Sequence, residues 1–169
     1  MTPRMRTGRP ARLKGFDYLG PHRYFLTFCT SGRQRLFVES AIVECVLTQF
    51  RRAAGQHAIA LIAYCFMPDH VHLLVGGLEE DSDGRKFISL AKQLAAFHVA
   101  AHFGVQLWQH YGYEHVLRGT EDTIAVARYI VANPLRARLA TNVFEYPFLG
   151  SDTHSLEEIV GAVQMMKPG

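Results

Sequence analysis

The sequence predicts an α+β protein with a ferredoxin-like sandwich, in which an antiparallel sheet carries helices on one face. Three observations lead to this class. The chain has 169 residues, which suits one domain with a sizeable core. Its strand-like and helix-like segments follow the order β-α-β-β-α-β, and a two-residue turn separates the two apolar segments near its middle. We expect a single domain over residues 23–150, after a basic arm (1–22) and before a tail with a short helix (151–169).

The first half of the chain supplies three strands and a helix. Residues 23–30, "RYFLTFCT", are rich in aromatic and β-branched side chains and are predicted as a strand. Ser40 is expected to cap a helix, "AIVECVLTQFRRAAG", whose apolar residues recur at helical spacing until Gly55. Residues 58–67 and 70–77 then form two strands of a hairpin across the turn "PD".

A second helix is predicted over residues 85–104, with Gly104 as its stop signal. Its apolar face is expected to consist of residues at helical spacing, namely Phe87, Leu90, Leu94, Phe97 and Ala101. A short fourth strand is predicted over residues 113–119. The first and second helices together would cover one face of the sheet and leave the other face open.

A third helix, "EDTIAVARYIVAN", is predicted to follow the fourth strand, with Thr120 as its cap. We expect it to stop near Asn133, because Pro134 disfavours helical geometry in the residue before it and has no amide hydrogen. This extra helix can pack on the open face of the sheet.

The positive charge is concentrated at the start of the chain. The net charge is only +3, but Asp17 alone opposes the six basic residues among the first 23, which are Arg4, Arg6, Arg9, Arg12, Lys14 and Arg23. Such an arm could follow a phosphate backbone by counterion release. It could equally be a solvated tail that keeps the protein soluble.

Composition also predicts the cellular compartment. No apolar run approaches the roughly 20 residues that a membrane helix needs, and the charged start lacks the apolar core of a secretory signal. The three cysteines, Cys29, Cys45 and Cys65, form no C-x-x-C pair, which fits a reducing environment. We therefore expect a cytoplasmic protein without a membrane partner.

Two histidines stand in the second hairpin strand, "HVHLLVGG". Because successive strand side chains point to opposite faces, His70 and His72 project the same way. Neutral imidazole is a common ligand of divalent ions, but two ligands rarely suffice. The pair is therefore either part of a metal site or two polar residues on the wet face of a half-buried strand.

Tyr129 and Asn133 are four residues apart and share one face of the third helix. If that helix packs on the open sheet face, the Asn133 carbonyl oxygen and the Tyr129 hydroxyl can reach the histidine pair. Taken singly, Tyr129 could also be a core aromatic with its tip at the surface, and Asn133 a cap before proline.

Three segments, "YCFMPDHVHLLV", "LWQHYGYEHVLR" and "ARYIVANPLRARLA", together resemble the signature of the HUH single-tyrosine transposases. The likeness extends over residues 23–150. Asn133 and the proline after it resemble the REP-associated branch of that family, whereas insertion-sequence members often carry glutamine at this position. Arg138 departs from the pattern, because relatives commonly have glycine there.

The resemblance implies a role for each residue of the site. His70 and His72 match the paired metal ligands, Asn133 matches the third ligand, and Tyr129 matches the nucleophile. Two nitrogen ligands and one amide oxygen leave open positions, which suits manganese or magnesium better than a closed zinc site, although zinc also fits. Tyr129 would attack a DNA phosphodiester and form a 5′-phosphotyrosine, so that the protein both cleaves and joins strands.

The implied substrate is single-stranded DNA beside a hairpin, such as a repetitive extragenic palindrome (REP). Trp108 and Tyr113 are candidates for stacking on unpaired bases, although Trp108 could also anchor the core. The candidates for phosphate contacts are basic residues in several segments: Arg4, Arg6, Arg9, Arg12, Lys14, Lys86, Lys92, Arg118 and Arg136.

Two other functions remain open at this stage. A hairpin-binding module with a regulatory role and without catalysis would bind DNA in a salt-sensitive way and leave it intact. A replication initiator or plasmid relaxase would share the two-histidine site but generally has a longer chain. Relatives act either as monomers or as homodimers, and the sequence does not decide between them.

Overall fold

The computed structural model describes residues 16–117 and 119–165. The main elements in chain order are β1 (Arg23–Cys29), α1 (Ser40–Gln56), β2 (Ile59–Met67), β3 (His70–Gly77), α2 (Gly84–Phe103), β4 (Tyr113–Val116), α3 (Gly119–Arg136), β5 (Leu149–Gly150) and α4 (Leu156–Met165). Short 3-10 helices occupy Ser31–Arg33, Leu36–Val38 and Val143–Glu145. Within these residues, no helix is both long and apolar enough to span a membrane.

The strands of the described residues form one antiparallel sheet in the order β4-β1-β3-β2-β5. This confirms the predicted α+β ferredoxin-like fold. β3 lies at the centre of the sheet between β1 and β2, and its register with β1 pairs Thr27 with His72 and Cys29 with His70. The strand that carries both histidines is therefore held on both sides by backbone hydrogen bonds.

Helices cover both faces of the sheet. On one face, α1 and α2 bury alternate residues of the strands, including Leu26, Phe28 and Phe66. On the other face, Val126 and Ile130 of α3 pack in a second cluster with further strand residues. The prediction that α1 and α2 share one face, with the tyrosine-bearing helix in addition, is thus confirmed.

The predicted apolar face of α2 is wrong in part. Phe97 is 67% exposed, whereas the buried face consists of Gly84, Phe87, Ile88, Ala91, Ala95 and Val99. Small residues set this orientation because they let the helix approach its neighbours closely. At Gly84, for example, an added Cβ would lie 2.6 Å from the ring of Tyr24. Side-chain size, and not hydrophobicity alone, therefore decides which face is buried.

The third helix does not stop at Asn133 but continues through Pro134 to Arg136. Pro134 lies in the last turn, where its missing amide removes only one hydrogen bond. The end of the helix is closed by the amide of Ala137, which donates to the Asn133 carbonyl at 3.0 Å. Arg138 then adopts a left-handed backbone with φ 58°. The predicted cap at Thr120 is also wrong, since the helix already begins at Gly119.

Smaller corrections concern the ends of other elements. Ser40 is the first residue of α1 and not its cap, because the extended residue before it is Glu39. The helix also passes Gly55 and ends at Gln56, and the left-handed residue of this turn is Ala58, with φ 50°. The two-residue strand β5 has no counterpart in the prediction.

Candidate functional site

His70 and His72 project from β3 onto the sheet face that α3 covers. Their Nε2 atoms lie 3.2 Å apart, and the two ring centroids are separated by 4.7 Å with the ring planes at 77°. His72 is buried, with 1% of its surface exposed. The two Nε2 atoms are therefore within hydrogen-bonding distance of each other on the sheet face below α3.

A partner on the outer nitrogen orients each imidazole. The Nδ1 atom of His70 lies 2.7 Å from the Asp69 carboxylate, which in turn accepts a hydrogen bond from Arg33 at 2.9 Å. The Nδ1 atom of His72 lies 2.8 Å from the Thr27 hydroxyl. Because an ionised carboxylate can only accept, a neutral His70 carries its proton on Nδ1 and presents a lone pair at Nε2. Such outer partners orient metal-binding histidines in many proteins.

Burial favours the uncharged form of both imidazoles. It lowers the pKa of His72 well below the usual value. The charges of Arg136 and Arg33, and that of His70 whenever His70 is protonated, lower this pKa further. Burial also lowers the pKa of His70, although the Asp69 carboxylate works in the opposite direction. Neutral imidazole is the form that coordinates a cation, so these histidines are prepared for that role near neutral pH.

Tyr129 reaches the histidine pair from α3 of the same chain. Its ring centroid lies 5.3 Å from that of His72, with the planes at 77°, and 5.7 Å from that of Phe25. Phe25 also contacts His72, at 5.5 Å between centroids. The aromatic side chain of β1 thus supports both the tyrosine and the buried imidazole.

Asn133 lies one helical turn beyond Tyr129 and is 9% exposed. Its Nδ2 atom is buried and has no hydrogen-bond partner among the described residues. The Oδ1 atom lies 3.5 Å from a guanidinium nitrogen of Arg136. A buried carboxamide with an unpaired group is costly unless another partner completes it.

The Arg136 side chain folds back along α3 over the tyrosine. Its guanidinium carbon lies 4.3 Å from the centroid of the Tyr129 ring, and a guanidinium nitrogen donates to the Tyr129 carbonyl at 3.2 Å. Tyr129, Asn133 and Arg136 are thus joined in one cluster at the end of α3.

The side chains of His70, His72 and Asn133 together offer nitrogen and oxygen donors that would suit a divalent cation. The described residues contain no group of three or more His, Cys, Asp or Glu side chains that could hold a metal, so a third protein ligand would have to be of another type, such as an amide oxygen. Asn133 could supply its Oδ1 atom, which lies 3.5 Å from a guanidinium nitrogen of Arg136. The unpaired Nδ2 atom of the same carboxamide is a hydrogen-bond donor and does not bind a cation. Two neutral imidazoles and one amide oxygen would leave open positions, as expected for manganese or magnesium.

The predicted nucleic-acid contacts lie in different places. Trp108 is 8% exposed and stacks on Phe50 with the planes at 9°, while its indole nitrogen donates to the Lys92 carbonyl. This corrects the prediction that it stacks on bases, because a buried and paired indole cannot receive them. Tyr113, by contrast, is half-buried and contacts Phe25 at 5.8 Å, beside the cluster.

The basic residues that are candidates for phosphate contacts also lie in different parts of the structure. Arg136 lies in the cluster, whereas Lys86 and Lys92 belong to α2 on the opposite side of the sheet. Lys86 is paired with Asp83 at 3.7 Å, and the Lys92 ammonium lies 5.1 Å from the Phe28 ring centroid. The remaining candidates, Arg4, Arg6, Arg9, Arg12, Lys14 and Arg118, lie outside the described residues.

Sequence reasoning missed the residues that support the site, namely Phe25, Thr27, Arg33 and Asp69. For Asp69 a signal existed, because it directly precedes the first histidine. Thr27 could have been found only from the register of β1 against β3, which pairs residues 45 positions apart. Nothing in the local sequence indicates that Arg33 reaches Asp69.

Comparison with known proteins shows which proteins this chain resembles. A protein from Haemophilus influenzae that is described as a REP-associated tyrosine transposase is 24% identical over 143 residues, which span 78% of this chain and 81% of that protein. The solved structure of a REP-associated tyrosine transposase bound to a REP hairpin has a TM-score of 0.66 and 20% identity, and 79% of each chain is covered. A second solved structure, described as a transposase from Deinococcus radiodurans, has a TM-score of 0.49 and 26% identity over 70% of this chain and 95% of that chain.

The fold is thus that of the tyrosine transposases, which confirms the resemblance found in the sequence. Residues 20–133 match the family described as "Transposase IS200 like". The chain belongs to this family of transposases, and the matched range includes the histidine pair, Tyr129 and Asn133.

Proposed function

We propose that this transposase cleaves and rejoins single-stranded DNA beside a hairpin, with Tyr129 as the nucleophile. The observation that carries the proposal is the approach of the Tyr129 ring to within 5.3 Å of the His72 ring in the same chain. A binding function alone requires neither a phenol at this place nor two neutral imidazoles behind it.

The step is a transesterification that needs no energy-rich cofactor. The Tyr129 oxygen forms a bond to phosphorus, and the bond from phosphorus to the 3′ oxygen breaks. The phenol loses its proton, and the departing 3′ oxygen gains one, so the products are a 5′-phosphotyrosine and a free 3′-hydroxyl. Attack by another 3′-hydroxyl reverses the step and joins two strands.

His70, His72 and Asn133 would hold a divalent ion, with manganese or magnesium as the expected metals. Such an ion withdraws charge from a non-bridging phosphate oxygen and so assists both attack and departure. The residues of this chain position it: Asp69 directs the Nε2 lone pair of His70, and Thr27 fixes the His72 ring. Family membership and the REP hairpin in the related structure support a hairpin as the DNA partner.

A cleavage assay tests the proposal. Purified protein, manganese and a labelled hairpin oligonucleotide with a single-stranded flank should give a covalent protein–DNA product. Tyr129→Phe should abolish this product, whereas Tyr113→Phe, which changes the other phenol beside Phe25, should retain it.

An adduct that persists in Tyr129→Phe would remove this residue from the role of nucleophile. Tight and salt-sensitive binding without any cleavage by the wild-type protein would instead favour a hairpin-binding module.

A further inference from the structure

The proposed chemistry gives no role to Arg136, although its guanidinium contacts two residues of the site. It contacts the ring and the carbonyl of Tyr129 and the Oδ1 atom of Asn133. The nucleophile and the third candidate ligand are therefore held by the same guanidinium.

No carboxylate among the described residues balances the Arg136 charge. None of the ion pairs in the described part of the chain includes this residue, and its side chain is exposed at the end of α3. An exposed guanidinium without a carboxylate partner can bind a phosphate through two parallel hydrogen bonds. The longer of its two hydrogen bonds, 3.5 Å to Asn133, is also the weaker, so the side chain can leave the carboxamide at low cost.

We infer that, without DNA, the Arg136 guanidinium takes the position of the metal ion in the site, where it restrains Tyr129 and competes with a metal for Asn133. When DNA binds, Arg136 moves to the scissile phosphate. The inference rests on the proposed function, because it assigns the phosphate contact of that same site. Metal binding and DNA binding then raise each other's affinity, because the phosphate draws the Arg136 guanidinium away from the carboxamide oxygen that the ion requires.

Electrostatics gives the expected size of the competition. Arg136 lies close enough to His72 for its charge to act on that imidazole, so it also repels a divalent ion held there. Because the guanidinium is exposed to solvent, we take a dielectric close to that of water, in which the repulsion of a single and a double charge over several ångströms corresponds to about threefold to tenfold in affinity. Removal of the guanidinium should therefore strengthen metal binding by this factor while it weakens DNA binding.

Arg136→Met and Arg136→Lys test the inference in two titrations. Methionine removes the charge, whereas lysine keeps the charge but loses the planar fork. In the DNA-free protein, calorimetric titration with manganese should show tighter binding by Arg136→Met, about threefold to tenfold, and wild-type affinity for Arg136→Lys. In fluorescence anisotropy, the affinity of Arg136→Met for the hairpin oligonucleotide should fall about tenfold.

A residue that only stabilises α3 would weaken both kinds of binding together, and the opposite changes exclude that role. Unchanged or weaker manganese binding by Arg136→Met, or unchanged affinity for DNA, overturns the inference. Tighter manganese binding by Arg136→Lys also overturns it, because the charge would then not be the cause. These titrations need no DNA cleavage, so a failure here is distinct from the absence of the covalent adduct, which would end the proposed function instead.

Discussion

The Tyr129 ring stands edge to face on the His72 imidazole, 5.3 Å between centroids, within a single chain. Phe25 contacts both rings and belongs to the strand that pairs with the histidine strand. The approach of the helix to the sheet is therefore built into the core of the subunit. The contact between Tyr129 and His72 thus needs no second copy of the chain.

The Thr27 hydroxyl should control metal affinity through His72. Thr27→Val preserves the shape of the buried side chain but removes the hydrogen bond to Nδ1, which leaves the ring without its orienting partner. We expect manganese affinity to fall about tenfold to a hundredfold. Thr27→Ser, which restores a hydroxyl, should recover most of the loss in the same calorimetric titration. Equal affinities of the valine variant and the wild type would show that the hydroxyl does not orient the ligand.

Asp69 should matter for the same reason at His70. Asp69→Asn replaces an obligatory acceptor by a group that can also donate, so the protonation of His70 is no longer fixed. We expect manganese affinity to fall about tenfold or more. Asp152→Asn is a matched control, because it breaks an aspartate–arginine pair with Arg51 that includes none of the cluster residues. Equal losses in both variants would indicate a general effect of charge and contradict the assigned role.

The Tyr24 phenol should make the fold sensitive to alkaline pH. Burial first, and then the neighbouring acidic groups, raise the pKa of Tyr24 well above its usual value. The folded state therefore retains this proton after the unfolded state has lost it, so the stabilising contribution is complete below about pH 10 and declines as the pH rises further. Urea unfolding at a series of alkaline pH values should show a smaller decline for Tyr24→Phe than for the wild type. An identical decline would remove Tyr24 as its source.

Arg138 should carry measurable backbone strain. Its φ of 58° lies in the left-handed region, which costs a residue with a Cβ roughly 1–2 kcal/mol and glycine almost nothing. After allowance for the greater freedom of glycine in the unfolded chain, Arg138→Gly should raise the free energy of unfolding by about 0.5–1 kcal/mol. Arg138→Ala keeps the Cβ and should give no such gain. A gain of the same size in the alanine variant would point to the loss of the charge instead.

Much of the fold could be predicted from the sequence because its strongest patterns are local. The two central strands were located within one residue, since each is a long apolar run bounded by a turn. The face of α2 could not be predicted, because Ala91 and Ala95 are buried by close packing and not by their hydrophobicity. The two-residue strand β5 is too short to show any periodicity.

The residues of the candidate site likewise include some that local sequence patterns predict and others that only the fold brings together. Residue types and spacing brought His70, His72, Tyr129 and Asn133 to attention, since each belongs to a compact local pattern. The supporting residues depend on pairings between distant strands and turns, such as Arg33 with Asp69, and these follow only from the complete fold. The roles of arginines at the end of α3 likewise depend on where the helix ends, and Pro134 led the prediction to end it too early.

The most direct measurement is to map the covalent linkage by mass spectrometry. Wild-type protein incubated with manganese and the hairpin oligonucleotide would be digested with protease and nuclease, and the modified peptide would be sequenced. We predict a 5′-linked nucleotide on Tyr129, and its loss when a chelator removes the metal. A nucleotide on any other residue, or unmodified Tyr129 in protein that has cleaved the DNA, would contradict the assignment of this centre.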